Sequence, residues 1–337
     1  MPLEIWINGT GFGETILLKW KEGDVICGGI VDCYCSLNKE TGGYDILEWL
    51  EEIGIVQLRF AVATHPHLDH LQNFHHVLKR RGKEMDAFYY WGVLEWAMWV
   101  DYFERLLDNR ANQKKPGLVE KAEHARELLA EAGQLSRGSM KLCSVGGYTR
   151  IFPLAGKNSS IEVYSFSPWE KGRFKFLRHV GASIDRSGGV TEGATDANAV
   201  SVGLLLKFGR SEIVLGGDVE TPNWHAFRAS GRCPKLNPCL VKVSHHGSRT
   251  GRIKEMWNGG FFGRQKKRPI AVVTPWLGRL PEEDVLTEIR PAVRELYVTG
   301  QRTGGLGRAL RSFVHVSVDD VGGATQIARS PSVRKLP

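Results

Sequence analysis

The chain has 337 residues, a formal net charge of +8 and an isoelectric point near 9.2. That length suits one large domain or two ordinary ones, and the basic balance permits a polyanion such as nucleic acid as partner. No run of about 18 apolar residues occurs, which argues against a membrane-spanning helix. Met1-Pro2-Leu3-Glu4-Ile5-Trp6 lacks the basic and apolar regions of a signal peptide. Cys27, Cys33, Cys35, Cys143, Cys233 and Cys239 are too sparse and irregular for a disulfide scaffold. The expectation is a cytoplasmic protein with reduced thiols.

Residues 3–8 and 14–20 alternate in polarity and predict a β-hairpin around the glycines at 9, 11 and 13. A strand follows over 24–33, with Asp32 near its end. Ile46, Leu47, Leu50 and Ile53 form one helical stripe across 44–53. The apolar run 55–62 predicts a buried strand leading into Thr64-His65-Pro66-His67-Leu68-Asp69-His70. Pro66 disfavours a helix at that point, so the segment is a loop leaving a strand. On an extended backbone His65, His67 and Asp69 share one face, and His70 turns toward a second point close by. Three imidazoles and a carboxylate so placed suit two metal ions in one pocket.

The pattern H-x-H-x-D-H after a strand resembles the metallo-β-lactamase superfamily. The resemblance implies an α/β fold, an αββα sandwich formed by residues 1–337 as a single domain, with a helical insertion over about 92–145. It also implies that His65, His67, Asp69 and His70 are metal ligands. Asp32 then has a natural place behind them, accepting a hydrogen bond from the outer nitrogen of a ligand histidine.

Residues 71–81 predict a helix; His75 and His76 lie on it, more than a turn past the cluster, and are not expected to be ligands. A short strand over 84–90 precedes an aromatic helix over 92–107, with Trp96, Trp99 and Phe103 on one face. A charged helix over 118–133 follows, with His124 on its surface. The aromatic stripe is core packing or, in the sharper reading, a lid or partner surface. Residues 160–166 predict a strand, and the Gly-, Arg- and Ser-rich stretch 170–195 predicts a loop.

Strands over 199–206 and 211–216 lead into Gly216-Gly217-Asp218, where small residues let the backbone approach and the carboxylate project. In the resembling superfamily this aspartate bridges two metals. A further apolar strand ends in Ser244-His245-His246-Gly247-Ser248, similar to the phosphodiesterase-like and ComEC-like branch. Adjacent residues of an extended strand point opposite ways. One of the pair therefore binds metal, with His245 favoured; the other contacts substrate or protonates a leaving group. Asp69, His245 and His246 are accordingly the catalytic candidates. Many members carry another histidine about 20 residues before the bridging aspartate; here Asp196 or Asn198 fills that position in support of the ligands. The strand-like segment 313–318 closes the sandwich.

Two divalent ions, Zn²⁺ or Mn²⁺, are the implied cofactors; imidazole and carboxylate donors accept Fe²⁺ as well. Residues 242–268 hold eight basic side chains, and Ser248, Arg249, Arg252 and Lys254 follow the histidine pair as substrate-binding candidates. The leading reading is a metal-dependent nuclease or phosphodiesterase acting on DNA or RNA. The alternatives are a hydrolase of a small ester, lactone or thioester, and an effector subunit activated by a protein docking on residues 92–132.

Overall fold

Apolar residues recur at every second position along the central strands, and a computed structural model shows where the two faces go. It describes residues 1–34, 45–109, 112–183, 197–258, 268–300 and 311–337. The strands in chain order are β1 Leu3–Gly9, β2 Glu14–Glu22, β3 Val25–Val31, β4 Gln57–Ala63, β5 Ala87–Trp91, β6 Lys141–Val145, β7 Thr149–Phe152 and β8 Ile161–Ser165. They continue with β9 Leu204–Phe208, β10 Ser211–Leu215, β11 Pro238–Lys242, β12 Ile270–Val273, β13 Glu295–Val298, β14 Phe313–Val318, β15 Ala324–Arg329 and β16 Arg334–Leu336. The helices are α1 Asp45–Glu52, α2 Leu68–Leu71, α3 Phe74–Arg81, α4 Trp96–Asp108, α5 Pro116–Leu135, α6 Glu170–Ser183, α7 Thr221–Ala229, α8 Lys254–Trp257 and α9 Glu283–Ile289.

Two eight-stranded sheets result, ordered β15-β14-β1-β2-β3-β4-β5-β6 and β16-β13-β12-β11-β10-β9-β8-β7. Each has an antiparallel block, entered by hairpins, and a parallel block of three steps: β3 through β6 and β10 through β13. Parallel strands need covered faces on both sides. Leu204, Leu206, Ile213, Leu215, Leu240, Ile270 and Val272 point into the core shared with the first sheet. Their neighbours Leu205, Val214 and Val241 point outward onto Trp224 and Phe227 of α7, and Ala271 and Val273 onto Val285, Leu286 and Ile289 of α9. Between the sheets Phe60 of β4 packs 4.7 Å from Phe152 of β7, ring centre to ring centre, with Trp20 at 6.0 Å from each. On the first sheet's outer side α3 is seated through Phe74, 5.9 Å from Phe88 of β5. The protein is an αββα sandwich, as the motif resemblance implies.

Two expectations change. Residues 170–195 were expected as loop, yet Glu170–Ser183 is helical. Phe176 and Val180, one turn apart, are buried there, with Phe176 5.5 Å from Trp99. Their contacts outweigh the two helix-weakening glycines of this segment. The strand expected to begin at Ala199 begins at Leu204, and Ala197–Val200 forms a 3₁₀ turn. In the region 92–145, α4 and α5 pack on each other, and Lys141–Val145 pairs with β5 as the edge of the first sheet. Of the aromatic stripe, Trp99 and Phe103 are buried and Trp96 is partly buried against the core; Tyr102 is buried beside them, and Trp99 lies 5.8 Å from Trp91.

Candidate metal centre

The parallel strands β3, β4, β10, β11 and β12 all end at one edge of the sandwich, and the loops leaving them converge there. In open α/β sheets this is where ligands bind. β3 delivers Asp32, β4 delivers residues 64–70, β10 delivers Asp218, β11 delivers the histidine pair and β12 delivers Thr274.

Thr64 and His65 continue the β4 line, but the chain turns at Pro66 and α2 starts at Leu68. Asp69 and His70 therefore reach the site from a helical turn rather than by strand alternation. His65 Nε2 lies 2.9 Å from His67 Nδ1 and 3.7 Å from Asp218 Oδ2. His70 Nε2 lies 3.6 Å from both Asp69 Oδ2 and Asp218 Oδ1. His246 Nε2 lies 3.3 Å from Asp69 Oδ2 and 3.5 Å from Asp218 Oδ2. The donor atoms fall into two groups sharing His70: His65, His70 and Asp218, and Asp69, His70 and His246, each within 4.8 Å of one another.

The outer nitrogens of His65, His70 and His246 are tied back. Asp32 Oδ2 accepts from His70 Nδ1 at 2.6 Å and from Thr64 Oγ1 at 2.8 Å, while its Oδ1 accepts from the Thr64 amide at 2.7 Å. Thr64 Oγ1 in turn accepts from His65 Nδ1 at 2.9 Å. His246 Nδ1 donates to the Thr274 carbonyl at 2.9 Å. Each of these bonds turns Nε2 inward, the arrangement metal-ligating histidines require. Asp32 is fully buried at a φ of 54°, a left-handed conformation that aspartate tolerates better than most residues. The amide of Asp218 donates to Ser201 Oγ at 2.9 Å, which fixes the carboxylate after the two glycines.

The histidine pair is not extended. His245 and His246 both have positive φ, 47° and 53°, and Gly247 follows at 78°. Such residues cost about 1–3 kcal/mol each and persist where surrounding structure enforces them. Because successive left-handed residues do not alternate, both rings approach Asp218 instead of pointing apart. His246 is buried within the cluster; His245 sits at the rim, 18% exposed, with Nε2 4.0 Å from Asp218 Oδ2. His245 Nε2 also lies 3.0 Å from Asn198 Nδ2, and its Nδ1 donates to Thr250 Oγ1 at 2.7 Å, near Glu220 at 3.6 Å. Asn198 is thus at the His65 side of the site, where the sequence lacks a further histidine. Asp196 lies outside the described residues.

Charge explains the titration of the cluster. Burial alone would depress His70 and His246, but Asp32, Asp69 and Asp218 around the first push it up to about 9. Asp218 and Asp69 push the second up to about 10. Burial lowers His65 far below the ordinary value, and burial aided by Lys121 lowers His67 to about 3. Asp218 is held well below the usual carboxylate range because the neighbouring imidazoles outweigh its burial. Without a metal, His70 and His246 are cations that neutralise the two aspartates.

Whether the residues fit a metal is tested by unsatisfied atoms. His70 Nε2, His246 Nε2 and Asp218 Oδ1 are buried without hydrogen-bond partners, and all three face one another. Buried polar atoms are normally paired, so three orphans converging on one point mark a place for a cation. The donor set fits.

The basic run behaves differently from its linear pattern. Arg249 pairs with Glu282 and Asp284 at 2.9 Å, and Arg252 with Asp284 at 3.2 Å and Glu288 at 2.5 Å. Their charges are answered by α9. Ser248 is buried and accepts from the Thr250 amide at 3.3 Å, and Lys254 is exposed on α8. Arg264, Lys266 and Lys267 lie outside the described residues. Besides Lys242, whose charge acts on His246, a cation whose charge reaches the cluster is Lys121 of α5, through its effect on His67. It was not singled out from the sequence, because nothing local links the charged helix to the loop 50 residues earlier. Thr64 and Thr274 were likewise missed, although each sits directly at the end of an apolar strand.

A further pair stiffens the floor between the sheets. Lys242 Nζ lies 2.6 Å from Glu14 Oε2, both fully buried, and donates to the Gly217 carbonyl at 3.1 Å. Glu14 also accepts from Thr274 Oγ1 at 2.5 Å.

No known family model matches the chain, and no curated protein does. Among solved structures it is similar to zinc-bound PqqB from Methylobacterium extorquens, at 11% identity over 84% of each chain and a TM-score of 0.38. It is similar to the Rm3 metallo-β-lactamase at 10% identity over 85% of this chain and 90% of that one, TM-score 0.34. It is also similar to a point mutant of the CmlA beta-hydroxylase at 13% identity over 87% of this chain, TM-score 0.37, spanning half that protein's length.

Proposed function

We propose that the chain is a metal-dependent hydrolase that cleaves phosphodiester bonds in DNA or RNA. The observation that carries this reading is the pair of buried three-donor groups that share His70, with orphaned inward-facing donors and the outer nitrogens of His65, His70 and His246 tied to oxygen acceptors.

His65, His67, Asp218 and His245 would hold a divalent ion at one end, with Asn198 beside His245 Nε2 and Thr250 behind its Nδ1. Asp69, His70, Asp218 and His246 would hold a second at the other. Ions so held act as Lewis acids on a phosphoryl oxygen and acidify water. The chain's own part is to fix the donors, exclude bulk water and manage protons. Asp32 holds His70 directly and His65 through Thr64, so two ligands share one anchor. Asp69, 3.3 Å from His246 Nε2 and 3.6 Å from His70 Nε2, would accept the proton an attacking water loses. The charge of Lys121 acts on His67 and adds to the positive balance that favours an anionic substrate. The net charge of +8 favours a polyanion over a neutral ester. The pairing of Arg249 and Arg252 with α9 favours the second reading, a small ester, lactone or thioester, because those arginines are not left for phosphates.

The test is cleavage of labelled single- and double-stranded DNA and RNA in Mn²⁺, Mg²⁺ and Zn²⁺. Cleavage that Asp218→Ala abolishes would support the reading. A wild-type chain inert on every polymer but active on a small ester would replace it with the second. Activity that emerges only with a second protein present would assign the effector role.

A further inference from the structure

A second cluster of metal-ligand side chains lies apart from the one already described. His124 and Glu127 are three residues apart on α5 and so share a face of that helix. Opposite them is His75 of α3. His75 Nε2 lies 3.3 Å from Glu127 Oε2, and one donor atom from each of the three residues falls within 4.8 Å of the others. His124 Nδ1 accepts from the Asn73 amide at 3.4 Å, which turns its other nitrogen away from that backbone. The His75 and His124 rings are nearly parallel, 28° apart with centres at 6.0 Å, and His76 stacks against His75 at 3.9 Å. His75 Nδ1 is buried with no hydrogen-bond partner.

Gathering imidazoles from two helices around one carboxylate has no packing advantage over apolar residues. A tetrahedral zinc site, with bonds of about 2.0–2.2 Å, sets its donors about 3.3–3.5 Å apart, which is the His75–Glu127 separation. The three residues are only partly buried, leaving room for water as a further ligand.

We propose that His75, His124 and Glu127 bind a structural transition-metal ion of the Zn²⁺ class, distinct from the catalytic cluster, that clamps α5 onto α3. The clamp has a target. Lys121 lies one turn before His124 on α5, and its charge reaches His67. α3 begins three residues after α2, which carries Asp69 and His70. An ion joining the two helices therefore fixes the wall and the cation of the catalytic cleft. This inference does not rest on the nuclease reading.

The experiment counts zinc in full-length chains after loading and desalting. Asp218→Ala made together with Asp69→Ala, which takes a carboxylate from each of the two donor groups and is the Asp218→Ala background used throughout this experiment, is expected to keep one tightly held equivalent. Adding His124→Ala or Glu127→Gln to it is expected to remove that equivalent. In the otherwise unmodified chain, Zn²⁺ is expected to slow hydrogen exchange in residues 116–135, and Glu127→Gln to abolish the slowing. A zinc equivalent that survives both second substitutions, or none in the Asp218→Ala chain, overturns the proposal. Should Asp218→Ala fail to fold, anomalous scattering at the zinc edge from wild-type crystals decides: density between the three side chains supports the site, and its absence overturns it.

Discussion

Asp32 anchors two ligand histidines at once, and its replacement by Asn tests whether the site is organised as described. Asn is the useful substitution because Asp32 has a φ of 54° and Asn tolerates left-handed backbone, so strain is not added. The change removes the charge and places an amide N–H₂ where one oxygen stood. If that amide faces His70 Nδ1, two donors meet, and the ring must put its proton on Nε2, the atom that faces Asp69 and Asp218. If it takes the Oδ1 position instead, it meets the Thr64 backbone N–H and that bond is lost, while the remaining oxygen still accepts from His70 and the Thr64 hydroxyl without the carboxylate's charge. Outer partners of this kind are worth about 10–100-fold in metal affinity. With two ligands depending on one carboxylate, the expected loss in zinc affinity exceeds 100-fold, or more than about 2.7 kcal/mol at 1.4 kcal/mol per tenfold. Thr64→Val removes only the arm to His65 and should cost about 10–100-fold. The assay is zinc affinity by chelator competition, with circular dichroism to show that each variant is folded. A folded Asp32→Asn chain binding zinc within threefold of wild type would refute the argument. A Thr64→Val loss as large as that of Asp32→Asn would refute the shared-anchor part of it.

His245→Ala should lose one zinc equivalent from the catalytic cluster, and Asn198→His in that background should restore it, since Asn198 lies 3.0 Å from His245 Nε2; elemental analysis decides, and an unchanged count assigns His245 to proton transfer instead. Because His70 and His246 are raised to about 9 and about 10 from an unfolded value of about 6.5, the stability they confer on the metal-free chain is complete below pH ~6.5 and is lost as pH rises through 9 to 10. In EDTA the melting temperature should therefore fall across that window, while zinc, which displaces the same protons, should flatten the profile; a flat profile in EDTA would contradict the assignment. Lys242→Met leaves Glu14 buried and unpaired between the sheets and should cost about 3–5 kcal/mol in chemical denaturation. A loss below about 1 kcal/mol would show that Glu14 is protonated or hydrated there.

The parts legible in the sequence were those whose signal is local. The run 55–62 and the loop after it gave a strand ending in ligands because apolar length, Pro66 and three histidines lie within a dozen residues of one another. The glycines before Asp218 made its strand-end position readable in the same way. What escaped was set by distance in the chain. α9 neutralises Arg249 and Arg252 from more than 30 residues away, so a linear count of basic residues overstated the charge beside the histidines. α6 is held by Phe176 and Val180 meeting Trp99 and its surroundings, a contact that outweighs its glycines and arginines. The histidine pair failed for another reason: alternation holds only for extended backbone, and two left-handed residues in succession abolish it. That strained turn is also informative. A protein that keeps positive φ at two consecutive histidines, when Gly247 alone could make a tight turn, places both imidazoles beside Asp218 at a cost of about 1–3 kcal/mol each. A single ligand would not require it. The backbone thus places both imidazoles beside one carboxylate, and makes His245, at the rim of the cluster, the residue whose removal reports most directly on how many ions the proposed site holds.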